Sequence, residues 1–226
     1  SKLLRDQTPP HILLACGAAA AISSGFGAPI AGLVFAHEVI VRHFSLKAVA
    51  PILISSIVAH TFSAEFYQIN PLFETKIGGI SDFYEIFLLG ILGILSGFIG
   101  AVYMKGLTFN LKIPKQIPVF SLPIIAGAIC GITGIFLPEL LGLGTDTIRL
   151  LIDKPNYFGY ILILLIGKLI LTVICIRLNL FGGIFSPALF IGVCTGSVFA
   201  FITGIFLDVN HSLFAVAGLA AVTSTV

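Results

Sequence analysis

The sequence predicts an all-α, polytopic membrane protein in which some helices break within the bilayer, and three observations carry that prediction. Hydrophobic residues make up 58% of the 226, charged residues only 10%, and mean hydropathy is +1.12. A water-soluble domain uses about a quarter charged residues to cover its surface, well above the share present. Uncharged apolar stretches recur that are long enough to cross a hydrocarbon layer of about 30 Å. Clusters of glycine and proline interrupt some of them. The 24 glycines and 20 phenylalanines suit helices that pack through small residues and turn aromatic bulk to lipid.

Along the chain, His11 to Val41 is apolar over most of its length but is interrupted at Gly25-Phe-Gly-Ala-Pro29, which reads as two helices joined at membrane depth. Ala48 to Phe62 follows, with Pro51 near its start, where proline is tolerated. Ile86 to Met104 and Ile117 to Leu137 are spans without a charge before Lys105, and Phe158 to Ile176 carries only Lys168. Leu180 to Leu207 is longer and uncharged, broken near its start by Gly182-Gly183 and Pro187. A last helix is expected from about Leu213. No soluble domain or low-complexity linker is visible, and both ends of the chain read as interior to a longer protein.

The connections alternate in charge. Arg42 and Lys47 flank one connection and Lys105, Lys112 and Lys115 another, whereas Glu65, Glu74, Asp82 and Glu85 dominate residues 63–85. Residues 138–157 are mixed. The positive-inside tendency puts 42–47 and 105–115 on the cytoplasmic side and 63–85 and 138–157 outside.

Several functions are excluded or disfavoured. A net charge of +2 without a basic arm gives no platform for nucleic acid. Cys16, Cys130, Cys175 and Cys194 lie in apolar stretches without CxxC or Cys/His metal spacing and read as small core residues. His37-Glu38 evokes the zinc-protease pattern HExxH, but the second histidine falls at Val41, and His43 lies on the wrong face. No cofactor, metal or enzymatic constellation is expected. His37, His43 and His60 read as interfacial residues.

Chemistry is expected at Gly182-Gly183-Ile184-Phe185-Ser186-Pro187. Two glycines permit a sharp turn and close backbone approach, and Pro187 suits the first turn of a new helix running on through Phe206. The amides of Ile184 and Phe185 would then sit at a helix N-terminus, whose partial positive charge attracts anions. The alternative is a plain kink packed on a neighbour. Gly25-Phe-Gly-Ala-Pro29 is a second break of similar kind, and paired breaks point to an inverted-repeat transporter. That could equally be an organic-solute transporter of another fold. Lys168 is costly at bilayer depth. It could snorkel, face an aqueous vestibule, or pair with a carboxylate such as Glu38.

Gly-Gly-Ile-Phe-Ser-Pro followed by Ala-Leu-Phe-Ile-Gly192 resembles the GxFxP signature of the CLC chloride channels and chloride/proton antiporters. Ala18 to Glu38 is similar to that family's AAAxxxxFxAPxAGxLFxxE segment, and Gly142 to Ile148 to its GxGxDTI stretch. The resemblance spans nearly the whole chain. It implies a CLC-type inverted-repeat architecture, with residues 1–226 forming part of one transmembrane domain that is incomplete at both ends. It also implies chloride or another small anion as the transported species, in a multi-pass protein surrounded by membrane lipid and forming a homodimer with one pore per subunit. Gly182, Gly183, Ile184, Phe185 and Pro187 correspond to the anion site, with the Ile184 and Phe185 amides as donors. Pro29–Ile40 and Ser45–Ser63 correspond to helices of the subunit contact, which Ala31, Gly32, Ser55, Ser56 and Ala59 would let approach. The family's other pathway motifs (a serine motif, an external gating glutamate and an inner tyrosine) are expected before Ser1 and after Val226, so this stretch is not expected to conduct alone. Glu38 falls on a widely shared glutamate. Val39 falls where the antiporters often carry an internal proton-transfer glutamate and the channels commonly a valine. A passive channel is therefore the expectation, with a proton-coupled antiporter as the alternative.

Overall fold

Pro10 opens the first helix at a position where its missing N–H is not needed, and α1 runs Pro10–Phe26. Gly27 then takes the left-handed conformation (φ 64°), which ends the helix, and Pro29 starts α2 (Pro29–Phe35) two residues later. The expected break at Gly25–Pro29 is thus a helix stop followed by a helix start. α2 passes without interruption into a π-helical turn, Ala36–Val41, closed by Arg42 (φ 59°), whose N–H donates to the His37 carbonyl at 2.9 Å. α3 (Leu46–Tyr67) is longer than its uncharged stretch and takes Pro51 inside it. This computed structural model describes residues 9–42, 46–67, 83–109, 118–153, 157–180 and 182–226. The chain divides into two compact units, Ser1–Glu74 and Thr75–Val226.

In the first unit a stripe of small residues holds α1 to α3. Ile12, Ala15, Ala19 and Ser23 face Ala48, Ile52 and Ser56, a helical spacing on both partners. Serine hydroxyls reach backbone carbonyls across the contact: Ser23 to Ser56 at 2.6 Å, Ser56 to Pro29 at 2.7 Å and Ser55 to Cys16 at 2.9 Å. A Cβ on Gly32 would lie 2.6 Å from the Ala19 carbonyl oxygen. Three of the small residues expected to let subunits approach (Gly32, Ser55 and Ser56) pack or hydrogen-bond within this unit. The outward face carries Ile30, Ala31, Val34, Ile54 and Val58 instead. His37 is also not interfacial. It is buried, with Nδ1 donating to the Leu33 carbonyl at 3.1 Å.

The second unit is built on α4 (Phe83–Thr108), α5 (Leu122–Phe136, entered through a 3-10 turn at Val119–Ser121), α6 (Thr145–Asp153), α7 (Phe158–Arg177), α8 (Phe185–Thr203) and α9 (His211–Thr223). Among the described residues, five helical segments are long and apolar enough to span a membrane: α3, α4, Val119–Phe136, α7 and α8. They differ in placement. Over its most apolar 18 residues α8 is 67% buried inside the protein, against at most 22% for the others, so α8 is an interior helix and the others keep apolar flanks exposed. Gly192 and Gly196 of α8 meet Gly218 of α9 backbone to backbone. Leu92, Phe199, Ala200 and Phe214 fill one layer beside that crossing, and Tyr103, Ala188, Ile191 and Val222 another.

Two expectations need correction here. α8 ends at Thr203 rather than running on to Phe206, because the chain turns there, with Phe206 and Leu207 amides both donating to the Thr203 carbonyl. Residues 138–157 are more than a mixed surface connection. They hold a 3-10 turn (Pro138–Leu140) and α6, which buries Thr147, Ile148, Leu151 and Ile152 while Asp146, Arg149 and Asp153 stay exposed. Burying one face of this short helix is what the 3.6-residue spacing of its apolar side chains dictates. Much of the charge on which sidedness rests, and His43, lie outside the described residues.

Candidate functional site

The turn between α7 and α8 is made by local chemistry. α7 ends in a Schellman motif: Asn179 takes φ 58°, Leu180 N–H donates to the Cys175 carbonyl (3.0 Å), and Asn179 N–H to that of Ile176 (3.2 Å). Asparagine tolerates this left-handed conformation better than most side chains. The chain then passes Gly182 and Gly183, and Ile184 sits at the N-cap of α8. Pro187 falls in the first turn, as expected, and the first intrahelical bond runs from Ala188 N–H to the Ile184 carbonyl at 3.3 Å. The two glycines leave space at the turn. Neither has a positive φ, and a Cβ on either would meet nothing within 4 Å. Their backbone is therefore open on the side where a side chain would otherwise stand.

That space is a cavity of about 390 Å³ whose wall includes Gly182, Gly183, Ser186, Pro187, Gly142 and Lys168. The Gly142–Ile148 motif is brought against the turn by Ser186, whose hydroxyl donates to the Leu143 carbonyl at 3.4 Å. In this motif glycine is sterically required. Gly142 and Gly144 have φ 59° and 68°, and a Cβ on Gly144 would lie 2.6 Å from the Phe190 ring. Cys130 and Cys175 also line the cavity, their sulfurs 3.1 Å apart on α5 and α7. Their separation of 45 positions gives no sequence signal for that contact.

Lys168 is 3% exposed, and its ammonium donates to the carbonyls of Leu140 (2.8 Å) and Gly142 (2.9 Å). It also lies 4.9 Å from the centre of the Phe190 ring, within cation–π range. Among the readings of Lys168, these contacts give it a structural function at the cavity wall: it ties the start of the Gly142 loop to α7. Its charge still borders the cavity. Replacing Lys168 with methionine strands two carbonyls and is expected to cost about 2 kcal/mol in a thermal-melt comparison. Unchanged conductance and anion selectivity in the same variant would limit the lysine to that structural task.

Glu38 and Val39 lie in the first unit, both exposed, within the π-helical turn. In such a turn, bonds span five residues instead of four, so the face presented by 38 and 39 is not the one α-helical spacing implies. Sequence reasoning missed this turn, Asn179 and also Tyr103, a fully buried residue of α4 whose hydroxyl donates to the Ile184 carbonyl at 3.0 Å. Asparagine just past an apolar run is a helix-stop signal and could have been read. Tyr103 carries no such signal.

The first turn of α8, preceded by the Gly-Gly turn, borders this cavity through Ser186 and Pro187. The whole chain, residues 1–226, matches the protein-family profile described as voltage gated chloride channel. The chain belongs to this CLC family. Its relatives include the H(+)/Cl(-) exchange transporters ClcA of Salmonella agona (strain SL483) and Salmonella dublin, each 32% identical over 241 residues. The match takes in 96% of this chain and 48% of each of those proteins, so the chain spans about half their length. The crystal structure of a CLC-type fluoride/proton antiporter superposes with a TM-score of 0.75 at 25% identity, covering 95% of this chain and 54% of that one. The chain is thus part of an integral membrane protein with the all-α CLC fold.

Proposed function

We propose that this CLC chain supplies one side of the anion seat in a proton-coupled chloride exchanger. The observation that carries the reading is the N-terminus of α8 opening on the Gly182–Gly183 cavity. A helix has no acceptor of its own for its first amides, and its dipole favours negative charge there. Ile184 and Phe185 donate to the anion, Gly182 and Gly183 keep the approach clear, and Pro187 sets the direction of the helix. An anion held by amides without a fixed cation binds firmly enough to be selected and weakly enough to leave. Lys168 is part of the cavity wall and adds positive potential there.

Coupling to protons is favoured by the names of the relatives, which are exchangers, over the passive channel that Val39 suggests. The channel remains the second reading because a valine cannot carry a proton at that position. Glu38 is the candidate carboxylate of the inner side. The protein works as a homodimer with one pore per subunit, its apolar flanks in lipid. Reversal potentials of the full-length protein, measured across a pH gradient at fixed chloride, separate the two readings. An exchanger gives a potential that moves with pH, and a channel gives one that does not. Flux from liposomes with chloride, nitrate and fluoride compared identifies the anion, and no flux of any of them would sink both readings.

A further inference from the structure

The anion seat depends on where the Phe185 N–H points, and the Ile184–Phe185 peptide plane sets that direction. Ile184 has no side-chain oxygen to cap α8. Gly182 and Gly183 precede it, with nothing packed where their side chains would be. The helix's own bond to the Ile184 carbonyl is long, at 3.3 Å. Yet Ile184 has φ −90° and ψ −23°, a helical setting rather than the extended one usual at an N-cap. The ψ angle of Ile184 rotates the Ile184–Phe185 peptide plane, so a contact to the Ile184 carbonyl bears on the direction of the Phe185 N–H.

Tyr103 supplies that contact. Its hydroxyl donates to the Ile184 carbonyl oxygen at 3.0 Å, the shorter of the two bonds to that atom. Its ring is fully buried and packed with Ala188, Ile191 and Val222, so the hydroxyl has a fixed origin. A trans peptide is planar, with its C=O and N–H on opposite sides. Holding the Ile184 oxygen toward α4 therefore directs the Phe185 N–H away from α4.

We propose that Tyr103 is a positioning residue for the anion seat, acting through the Ile184 carbonyl to aim the Phe185 amide. This inference rests on the seat described above. The test is chloride affinity of the full-length protein by titration calorimetry, alongside thermal melting, for wild type, Tyr103→Phe and Tyr84→Phe. Tyr84 is the matched control. It lies on the same helix, and its hydroxyl also donates to a backbone carbonyl, that of Asp208 at 2.6 Å, remote in sequence from the seat.

Tyr103→Phe is expected to weaken chloride binding about three- to tenfold, the scale of one ordinary hydrogen bond. Tyr84→Phe is expected to leave affinity unchanged and to melt at a similar temperature. A fluorinated tyrosine at 103 keeps the shape and is a stronger donor. It provides a folded second variant and is expected to bind chloride at least as tightly as wild type. Wild-type affinity in Tyr103→Phe overturns the positioning role while leaving the seat intact. Equal losses in both phenylalanine variants overturn it as well, since they indicate general packing. Absence of chloride binding in wild type overturns the seat itself and this inference with it.

Discussion

Replacing the Phe185 backbone amide by an ester, through an α-hydroxy analogue of phenylalanine at that position, lowers chloride affinity of the full-length protein about ten- to a hundredfold. The ester keeps the side chain and the trans geometry but has no N–H. Hydrogen bonds to charged partners contribute about 1.5–3 kcal/mol, and about 1.4 kcal/mol corresponds to a factor of ten. The same exchange at Ile184 removes the second proposed donor and is expected to have a similar effect. The cavity is lined by Gly182 and Gly183 on one side of these two residues and by Ser186 and Pro187 on the other. Titration calorimetry gives the affinities, and liposome flux shows whether transport follows. An affinity within twofold of wild type in either ester removes that amide from the seat.

Gly196→Leu is expected to yield no folded protein, and Gly196→Ala to lose about 3 kcal/mol, at the upper end of overpacking costs. The reason is that the neighbours are backbone. A Cβ on Gly196 collides with the Phe214 carbonyl, one on Gly218 would lie 2.6 Å from the Gly196 Cα, and one on Gly192 would lie 2.7 Å from the Leu219 Cα. Backbone cannot swing aside like a side chain, so α8 and α9 must separate. That would open the layer of Tyr103, Ala188, Ile191 and Val222, which underlies the start of α8. Gly127 in α5 is the contrasting position. Nothing lies within 4 Å of an added Cβ there, so Gly127→Ala is expected to gain about 0.5–1 kcal/mol from helix propensity. Melting curves in detergent compare the three. A Gly196→Leu protein that melts like wild type would disprove the close α8–α9 crossing.

Much of this architecture follows from local chemistry. Apolar length marks the spans, because hydrocarbon tolerates only backbone whose hydrogen bonds are satisfied within the helix. Gly27 with Pro29 marks one break, since glycine ends a helix and proline starts one; at the other, Gly182-Gly183 and Pro187 mark the turn although Asn179 is the residue that ends α7. The order of the three motifs places the chain in its family. α6 was harder to see, because nine residues with three charges among them look like a surface connection until one face is known to be covered. The π-helical turn at Ala36–Val41 was invisible for a related reason: one extra residue per turn leaves no mark in composition.

The Ile184–Phe185 seat was legible as a helix start, because glycine and proline act within a few residues of themselves. What orients it was not. Tyr103 stands 81 positions away, the Lys168 ammonium reaches carbonyls 26 and 28 positions distant, and Gly196 is constrained by Phe214 on another helix. Each of these is a through-space contact set by how helices cross. The sequence by itself determined that this chain forms apolar spans and that one of them is interrupted at a helix start marked by glycine and proline. Only the tertiary structure decided which buried side chains hold that start in place, because packing partners are chosen by proximity in space and not along the chain.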